Sequence, residues 1–303
     1  MAKIREARGR RPKRDLRFRD LIEPALEAKQ FQGNRPSSIE TDRKRLGKIL
    51  PYIGHMKTST LGRPTAAGKI ERILQDLARG NGRGPLKGST INRFHSLLSS
   101  VFTHARRQGL LKVNPLADGS LPWSKESQIH VRYLGRDEQR RLLRVIREDD
   151  PKKTIEVELA ILTGLRRGEQ FNAKWEDWKV KEGILYVAGK SGLRPVRISR
   201  AAGRCLRAMR KRAPRDQAFI TPERNEGPSD RRLWFERAVK KAGLSPAFRY
   251  HDLRHTFCSR LAQAGVSLLK IKELAGHKAY QTTLRYSHLA SEGQRRAVEK
   301  VEF

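Results

Sequence analysis

Residues 251–264 read HDLRHTFCSRLAQA. Leu253, Phe257, Leu261 and Ala264 recur at helical spacing, so the stretch reads as a helix, His251–Ala264, with one buried stripe. At about 100° per residue, His251 and Arg254 lie about 60° apart and about 95° round from that stripe. They share one face at the edge of the core. A His–Arg pair there suits an anionic transition state better than a metal, because a guanidinium repels cations. His251 and His255 are four apart, as in zinc helices. Position 252 is Asp and position 254 is Arg, however, so H-E-x-x-H is absent and no metal is expected.

On either side of this helix the pattern is mostly helical with one strand cluster. Asp137 is placed to cap a helix carrying Leu142, Leu143, Val145 and Ile146. Ile184–Val187 and Pro195–Ser199 are β-rich runs around a Gly189–Gly192 turn region, which reads as a hairpin. Ala218–Thr221 is a candidate third strand. Further helices are expected around Arg204–Arg212, Asp230–Lys241 and Ser267–Ala275.

The N-terminal part is helical throughout. Phe18, Leu21, Ile22, Ala25 and Leu26 follow a helical stripe that Pro24 should kink or delay. Ser37 and Ser38 can cap a second helix with Ile39, Leu46, Ile49 and Leu50. Ile70, Ile73, Leu74 and Leu77 mark a third. Ser89 or Thr90 caps a fourth, whose apolar face runs from Ile91 through Phe94, Leu97, Leu98, Val101 and Phe102 to Ala105, and Gly109 closes it. The expected class is therefore mainly α with a small antiparallel β-sheet. Its parts are a basic arm over 1–15, an all-α bundle over 16–117, a Pro/Gly-containing linker over 118–134 and an α+β domain over 135–303 with a tail over 287–303.

Charge narrows the function. The 303 residues carry 66 Lys and Arg against 32 Asp and Glu, a net +34. Residues 1–120 hold 26 basic and 10 acidic side chains and residues 121–303 hold 40 and 22, so both halves are strongly cationic. A neutral enzyme with one basic tail is excluded, and nucleic acid is the expected partner. Arg43, Lys44, Arg45, Arg93, Arg106 and Arg107 lie on the polar faces of the bundle and are candidate phosphate contacts. No long apolar run suggests a membrane span, and no apolar segment follows the start as in a secretion signal. Cys205 and Cys258 form no C-x-x-C pair, which fits a reduced cytoplasm; with nucleic acid as partner, the expected place is cytoplasmic and nucleoid-associated.

The candidate chemistry lies in four separated pieces. Thr163-Gly-Leu-Arg-Arg-Gly-Glu169 places Arg166 just after a helix end, where a fixed guanidinium fork can meet phosphate oxygens. Gly189-Lys190-Ser191-Gly192 puts a Lys on a hairpin turn, which as a local feature equally suits a solvated turn residue. His251, Arg254 and His255 form the third piece. The fourth is Leu274-Ala-Gly-His277 with Tyr286 nine residues later; Gly276 ends a helix and fixes His277 on a corner.

In this order and spacing, the four pieces resemble the tyrosine recombinases, most closely bacterial and phage integrases. The likeness covers roughly residues 16–290, and Thr90-Ile-Asn-Arg to Lys112-Val-Asn-Pro115 resembles the family's helical core-binding domain. The resemblance implies that Tyr286 is the nucleophile, attacking a DNA phosphate to give a 3′-phosphotyrosyl bond and a free 5′-hydroxyl. Arg166 and Arg254 would grip the non-bridging oxygens, and Lys190 would protonate the leaving oxygen. His251 would be the acid/base and His277 a second phosphate donor. Glu169 would support the first Arg; Arg167 and His255 would support the motif or contact DNA. Neither metal nor other cofactor is implied.

The expected partners are double-stranded attachment sites, a homotetramer passing through a Holliday junction for integration or excision of a mobile element, and an accessory DNA-bending or directionality factor. Val298, Val301 and Phe303 would pack on a neighbouring protomer. With about 15 residues before the bundle, an arm-binding domain is expected to be absent or reduced. Two other readings are a type IB topoisomerase and a non-catalytic DNA-binding protein.

Overall fold

The computed structural model describes residues 15–80, 84–117, 131–189, 192–221, 230–244 and 248–289. The chain divides into two compact units between Gln128 and Ile129. The arm over 1–14, most of the expected linker, Lys190 and the tail from residue 290 lie outside the described residues.

The first unit is a helical bundle. A 3-10 turn, Phe18–Leu21, leads into α1 (Ile22–Phe31), followed by α2 (Pro36–Ile53), α3 (Thr58–Leu61), α4 (Thr65–Arg79) and α5 (Gly88–Arg107). Its centre is α5, which buries Phe94, Leu97, Leu98, Val101, Phe102 and Ala105 against Phe18, Leu26, Leu46, Ile49, Ile70 and Leu74. The Phe18 and Phe102 rings meet at 5.3 Å. Each such buried side chain contributes about 1.5–3 kcal/mol.

Helix starts differ from the sequence reading. Helix α2 opens on Pro36 with Arg35 as its N-cap, and α5 opens on Gly88 after Lys87, so Ser37, Ser38, Ser89 and Thr90 all lie inside helices. A proline at the first position has its φ preset and lacks the N–H a cap would satisfy, which moves the start upstream of the serines. Pro24 lies in the first turn of α1, where a missing N–H costs little.

The second unit contains α6 (Arg136–Asp149), α7 (Pro151–Thr163), α8 (Arg167–Phe171), a three-stranded sheet, α9 (Arg200–Arg212), α10 (Asp230–Lys241), α11 (Asp252–Gln263), α12 (Leu268–Ala275) and the short α13 (Gln281–Leu284). The N-cap of α6 is Gly135, not Asp137; its N–H donates to the Glu138 carboxylate at 3.0 Å, closing a capping interaction. Helix α7 is apolar on two sides. Val157, Ala160 and Ile161 join Leu142, Ile146, Phe235, Phe248 and Leu253, whereas Leu159 joins Leu185, Val187, Val196 and Leu206.

The sheet runs β1 (Trp178–Lys179), β2 (Ile184–Gly189), β3 (Gly192–Arg197), all antiparallel. Leu185 faces Val196 across the hairpin, and with Val187 they fill the core side. Pro195 sits on the edge strand, where its missing N–H breaks no ladder. The expected third strand at Ala218–Thr221 is corrected. Phe219 makes only an isolated bridge to Lys174, and the third strand is β1. The 3-10 turn Trp175–Asp177 follows at once and keeps that bridge from lengthening.

Candidate active site

Two helix ends build the site. Helix α7 stops at Gly164, whose φ of +62° is left-handed, and α12 stops at Gly276 with φ +68°. The last carbonyls of a helix have no partner within it and carry the negative end of its dipole. Here they hold guanidiniums. Arg254 on α11 donates from Nη1 to Gly164 O at 2.7 Å, and Arg166 donates from Nη2 to Gly276 O at 2.7 Å. Glu169 completes the seat of Arg166: it accepts from Arg166 Nη1 at 2.7 Å and from the Arg166 backbone N–H at 2.9 Å.

Gly164 is needed twice over. A Cβ there would lie 2.3 Å from the Phe257 ring, and the left-handed backbone disfavours any side chain. Gly164→Ala is expected to cost about 2–4 kcal/mol by combining backbone strain with overpacking. A urea melt checks it; an unchanged midpoint would contradict this packing.

Arg254 is 3% exposed and therefore lies inside the core, not at its edge as helical periodicity suggested. Periodicity counted one large-residue stripe. The small residues Thr256, Cys258, Ser259 and Ala262 are buried as well, because α11 is covered from two sides, by α7 and by the α12–Tyr286 segment. Burial, then the neighbouring Arg166, pulls the Arg254 pKa down to about 10, which leaves it charged at neutral pH. Its Nη2 is buried without a partner among the described residues. A buried, unpaired cationic donor costs free energy until an anion meets it.

The aromatic side of the site is Tyr286, 1% exposed. Its hydroxyl lies 2.6 Å from Nδ1 of His255, and its ring stacks parallel on His277 at 6.3 Å between centroids. Nδ1 of His277 is 2.9 Å from the Thr283 hydroxyl. His251 stands at the exposed N-cap of α11, its ring 5.2 Å from that of His255. Burial, then the adjoining Cys258, raises the Tyr286 pKa well above its ordinary value, so the phenol is neutral. Burial, then His251 and Arg285, lowers His255 to about 4. Burial, then Arg254 and Arg166, lowers His277 to about 3. His251 is lowered by desolvation and then by Arg254.

Neutral imidazoles in the native state make stability acid-sensitive. The unfolded histidines have pKa values near ~6.5, so below that pH the unfolded chain binds more protons than the native one. This contribution is complete above about pH 6.5 and is lost as pH falls toward 4, at a cost of a few kcal/mol. Thermal melts between pH 7 and pH 4.5 should show a falling Tm; a constant Tm over that interval refutes the assignment.

Of the residues read from the sequence, Arg166, Glu169, His251, Arg254, His255, His277 and Tyr286 come together in the second unit. Arg167 is half-buried at the start of α8. The strands leading to and from Lys190 pair through Gly189 and Gly192. In the first unit Arg93, Arg106 and Arg107 are exposed on α5. Arg43 is engaged by Glu23 at 2.8 Å and Glu40 at 2.9 Å, Lys44 by Glu40 at 3.6 Å and Arg45 by Asp42 at 3.8 Å. Those three cations are partly neutralised.

The sequence reading passed over Arg194 and Arg285 altogether, and assigned His255 no contact with the Tyr. Only the adjacency of Arg285 to Tyr286 was visible in the sequence. No cluster of three or more His, Cys, Asp or Glu able to hold a metal occurs among the described residues. No helix among them is long and apolar enough to cross a membrane.

Two anchored guanidiniums beside a buried Tyr make a site that can receive an anionic group. Residues 132–292 match the model of the phage integrase family. The chain belongs to that family, the tyrosine recombinases, enzymes that cleave and rejoin DNA. An integrase of Salmonella phage P22 is 24% identical, covering 91% of this chain and 77% of its own length. The tyrosine recombinase XerC of Thermodesulfovibrio yellowstonii is 31% identical over 67% of this chain and 73% of its own. By fold the chain is similar to the Tn1549 transposon integrase in complex with circular intermediate DNA, with TM-score 0.76, 19% identity, and coverage of 95% of this chain and 100% of that one. It is also similar to a lambda integrase tetramer bound to a Holliday junction, with TM-score 0.73, 19% identity, and coverage of 90% and 78%.

Proposed function

We propose that the protein is a site-specific recombinase for a mobile element, exchanging strands through a 3′-phosphotyrosyl intermediate and a Holliday junction. The observation that carries the reading is the pair Arg166–Arg254, each fixed on a helix-end carbonyl, with a buried Arg254 donor left for an anion. Two such forks can hold the non-bridging oxygens of one phosphate, and their grip tightens as charge builds in the transition state.

Tyr286 attacks phosphorus, the O5′ bond breaks and the 5′-strand leaves as a hydroxyl. His255 holds the hydroxyl only in the buried seat; once Tyr286 has left it, the phenol proton passes to His251, at the exposed N-cap of α11 beside His255. Lys190 protonates the departing O5′, and His277 donates to the phosphate. The attack needs Tyr286 to leave its buried seat, so segment 281–289 moves when DNA binds.

The partner is double-stranded DNA and the working assembly is a homotetramer, as for the family relative solved on a Holliday junction; an accessory bending or directionality factor is a further expected partner. The first unit contributes Arg93, Arg106 and Arg107, with smaller contributions from Arg43, Lys44 and Arg45. The even distribution of the 66 cations supplies affinity that is sequence-blind and salt-sensitive.

The test uses a nicked duplex carrying the chromosomal junction of the encoding element. The native protein should form a covalent protein–DNA adduct on it, resolved on a denaturing gel, and recombinant product from paired sites. No adduct on any junction sinks the proposal. Relaxed circles without recombinants would reassign the chain to topoisomerase-like work.

A further inference from the structure

Arg194 stands where a strand should carry an apolar residue. On β3 it is two residues from the buried Val196, hence on the same face, opposite Val187. Its side chain is 17% exposed and it points into Glu169, donating from Nη2 to Oε2 at 2.8 Å and from Nε to Oε1 at 3.2 Å. Glu169 thus receives four N–H groups, two from Arg166 and two from Arg194, which fills its lone pairs. The same side chain packs against Gly276: a Cβ on Gly276 would come within 2.8 Å of Arg194 Cζ and Nε. Gly276 O in turn holds Arg166, and its next neighbour is His277. Arg194, Glu169, Arg166 and Gly276 form a closed ring drawn from β3, α8, the loop before it and the end of α12.

We propose that Arg194 is a positioning residue for strand cleavage, fixing the Glu169 carboxylate and through it seating both the Arg166 guanidinium and the Gly276–His277 corner. This rests on the recombinase reading above. A purely structural role fits poorly, since Arg194 Nη1 is buried without a partner among the described residues, and an incompletely satisfied buried ion pair is a poor stabiliser. Burial alone would raise the Glu169 pKa. The bonds from Arg194, then the Arg166 backbone N–H and side chain, instead hold it at about 2. The charged groups facing Glu169 are Arg166 from the loop before α8, Arg194 from β3 and Arg254 from α11.

The test measures single-turnover cleavage of the nicked junction duplex at saturating protein, from pH 5 to pH 8, with melts on each variant. Arg194→Met should cut the rate about 100-fold, the scale of a 1 Å misplacement. Half-saturating DNA should change less than roughly threefold, because one cation among many contributes little to overall affinity. An acid limb absent from the native profile should appear, as Glu169 loses the charge that keeps it ionised. Arg194→Lys should restore the profile but only part of the rate, since an ammonium cannot span both oxygens. Glu169→Gln should slow cleavage, and adding Arg194→Met to it should cost little more, because the two act through one carboxylate. Native-like rates and profile in Arg194→Met overturn the inference, as do additive losses in the double variant. A native protein that forms no adduct removes the recombinase reading and this role with it. A native adduct with unaffected variants removes this role alone.

Discussion

Tyr286→Phe is expected to form no covalent adduct on the nicked junction duplex while binding it with unchanged affinity. The substitution removes one oxygen atom, the only atom that would bond to phosphorus. Water cannot take its place in this readout, because hydrolysis leaves no protein–DNA bond. The ring stays in its pocket against His277 and Cys258. Stability should change by only about 1 kcal/mol, since the variant loses the bond to His255 but also spares the desolvation of a hydroxyl. Tyr280 provides a sharp control. It is 41% exposed, whereas Tyr286 is 1% exposed. Accessibility in this structure would nominate Tyr280; the spacing from His277 nominates Tyr286. Tyr280→Phe should therefore retain the adduct. An adduct surviving in Tyr286→Phe and vanishing in Tyr280→Phe would reverse the assignment.

Arg254→Met is expected to separate stability from catalysis. Cleavage should fall on the order of 100- to 1,000-fold, the usual cost of removing one preorganised donor to developing charge. The melting temperature should hold or rise. Native Arg254 is a desolvated cation with one donor bound to Gly164 O and Nη2 facing no acceptor among the described residues, and Arg166 and Arg194 add like charge nearby. Replacing a buried, poorly compensated ion by an apolar side chain of similar length is commonly neutral or stabilising by about 1–4 kcal/mol. Parallel melts and single-turnover rates check both halves. A variant that loses rate only in proportion to lost stability would show Arg254 to be structural, and would remove one half of the phosphate grip.

Both predictions depend on how the chain conceals its charges. Glu169 sits between two guanidiniums, so the site keeps a net positive charge without exposing an uncompensated cluster. On the proposed reading, burial of Tyr286 and its contact with the neutral His255 keep the nucleophile away from water until DNA arrives. Release of segment 281–289 requires breaking the Tyr286–His255 contact and exposing the small apolar cluster of Cys258, Ala262, Ile271 and Ala275. Binding of a polyanion to Arg166, Arg254 and Arg285 can offset that loss.

Much of this was legible in the sequence because it is local. The fourth helix of the bundle, the paired strands of the hairpin, the helix ends at Gly164 and Gly276, and the order from Arg166 to Tyr286 all follow from spacing over a few residues. Cap positions slipped where Pro36 and Gly135 took over from the serines and Asp137, because several residues compete for one helix start and only backbone geometry chooses among them. The third strand was misplaced because a two-residue strand such as Trp178–Lys179 has no periodicity to read.

By itself, the sequence determined the charge, the helical class and the residue types available for phosphoryl transfer. Tertiary structure alone decided that Arg254 is buried, that His255 and not His251 holds the Tyr286 hydroxyl, and that Arg194 shares Glu169. The reason is distance along the chain. Arg166 finds Gly276 O 110 residues away, Arg254 finds Gly164 O 90 residues away, and Tyr286 meets His255 across 31. Helical and strand periodicity extend over a few turns, so contacts of that span arise only when packed helices bring their ends together.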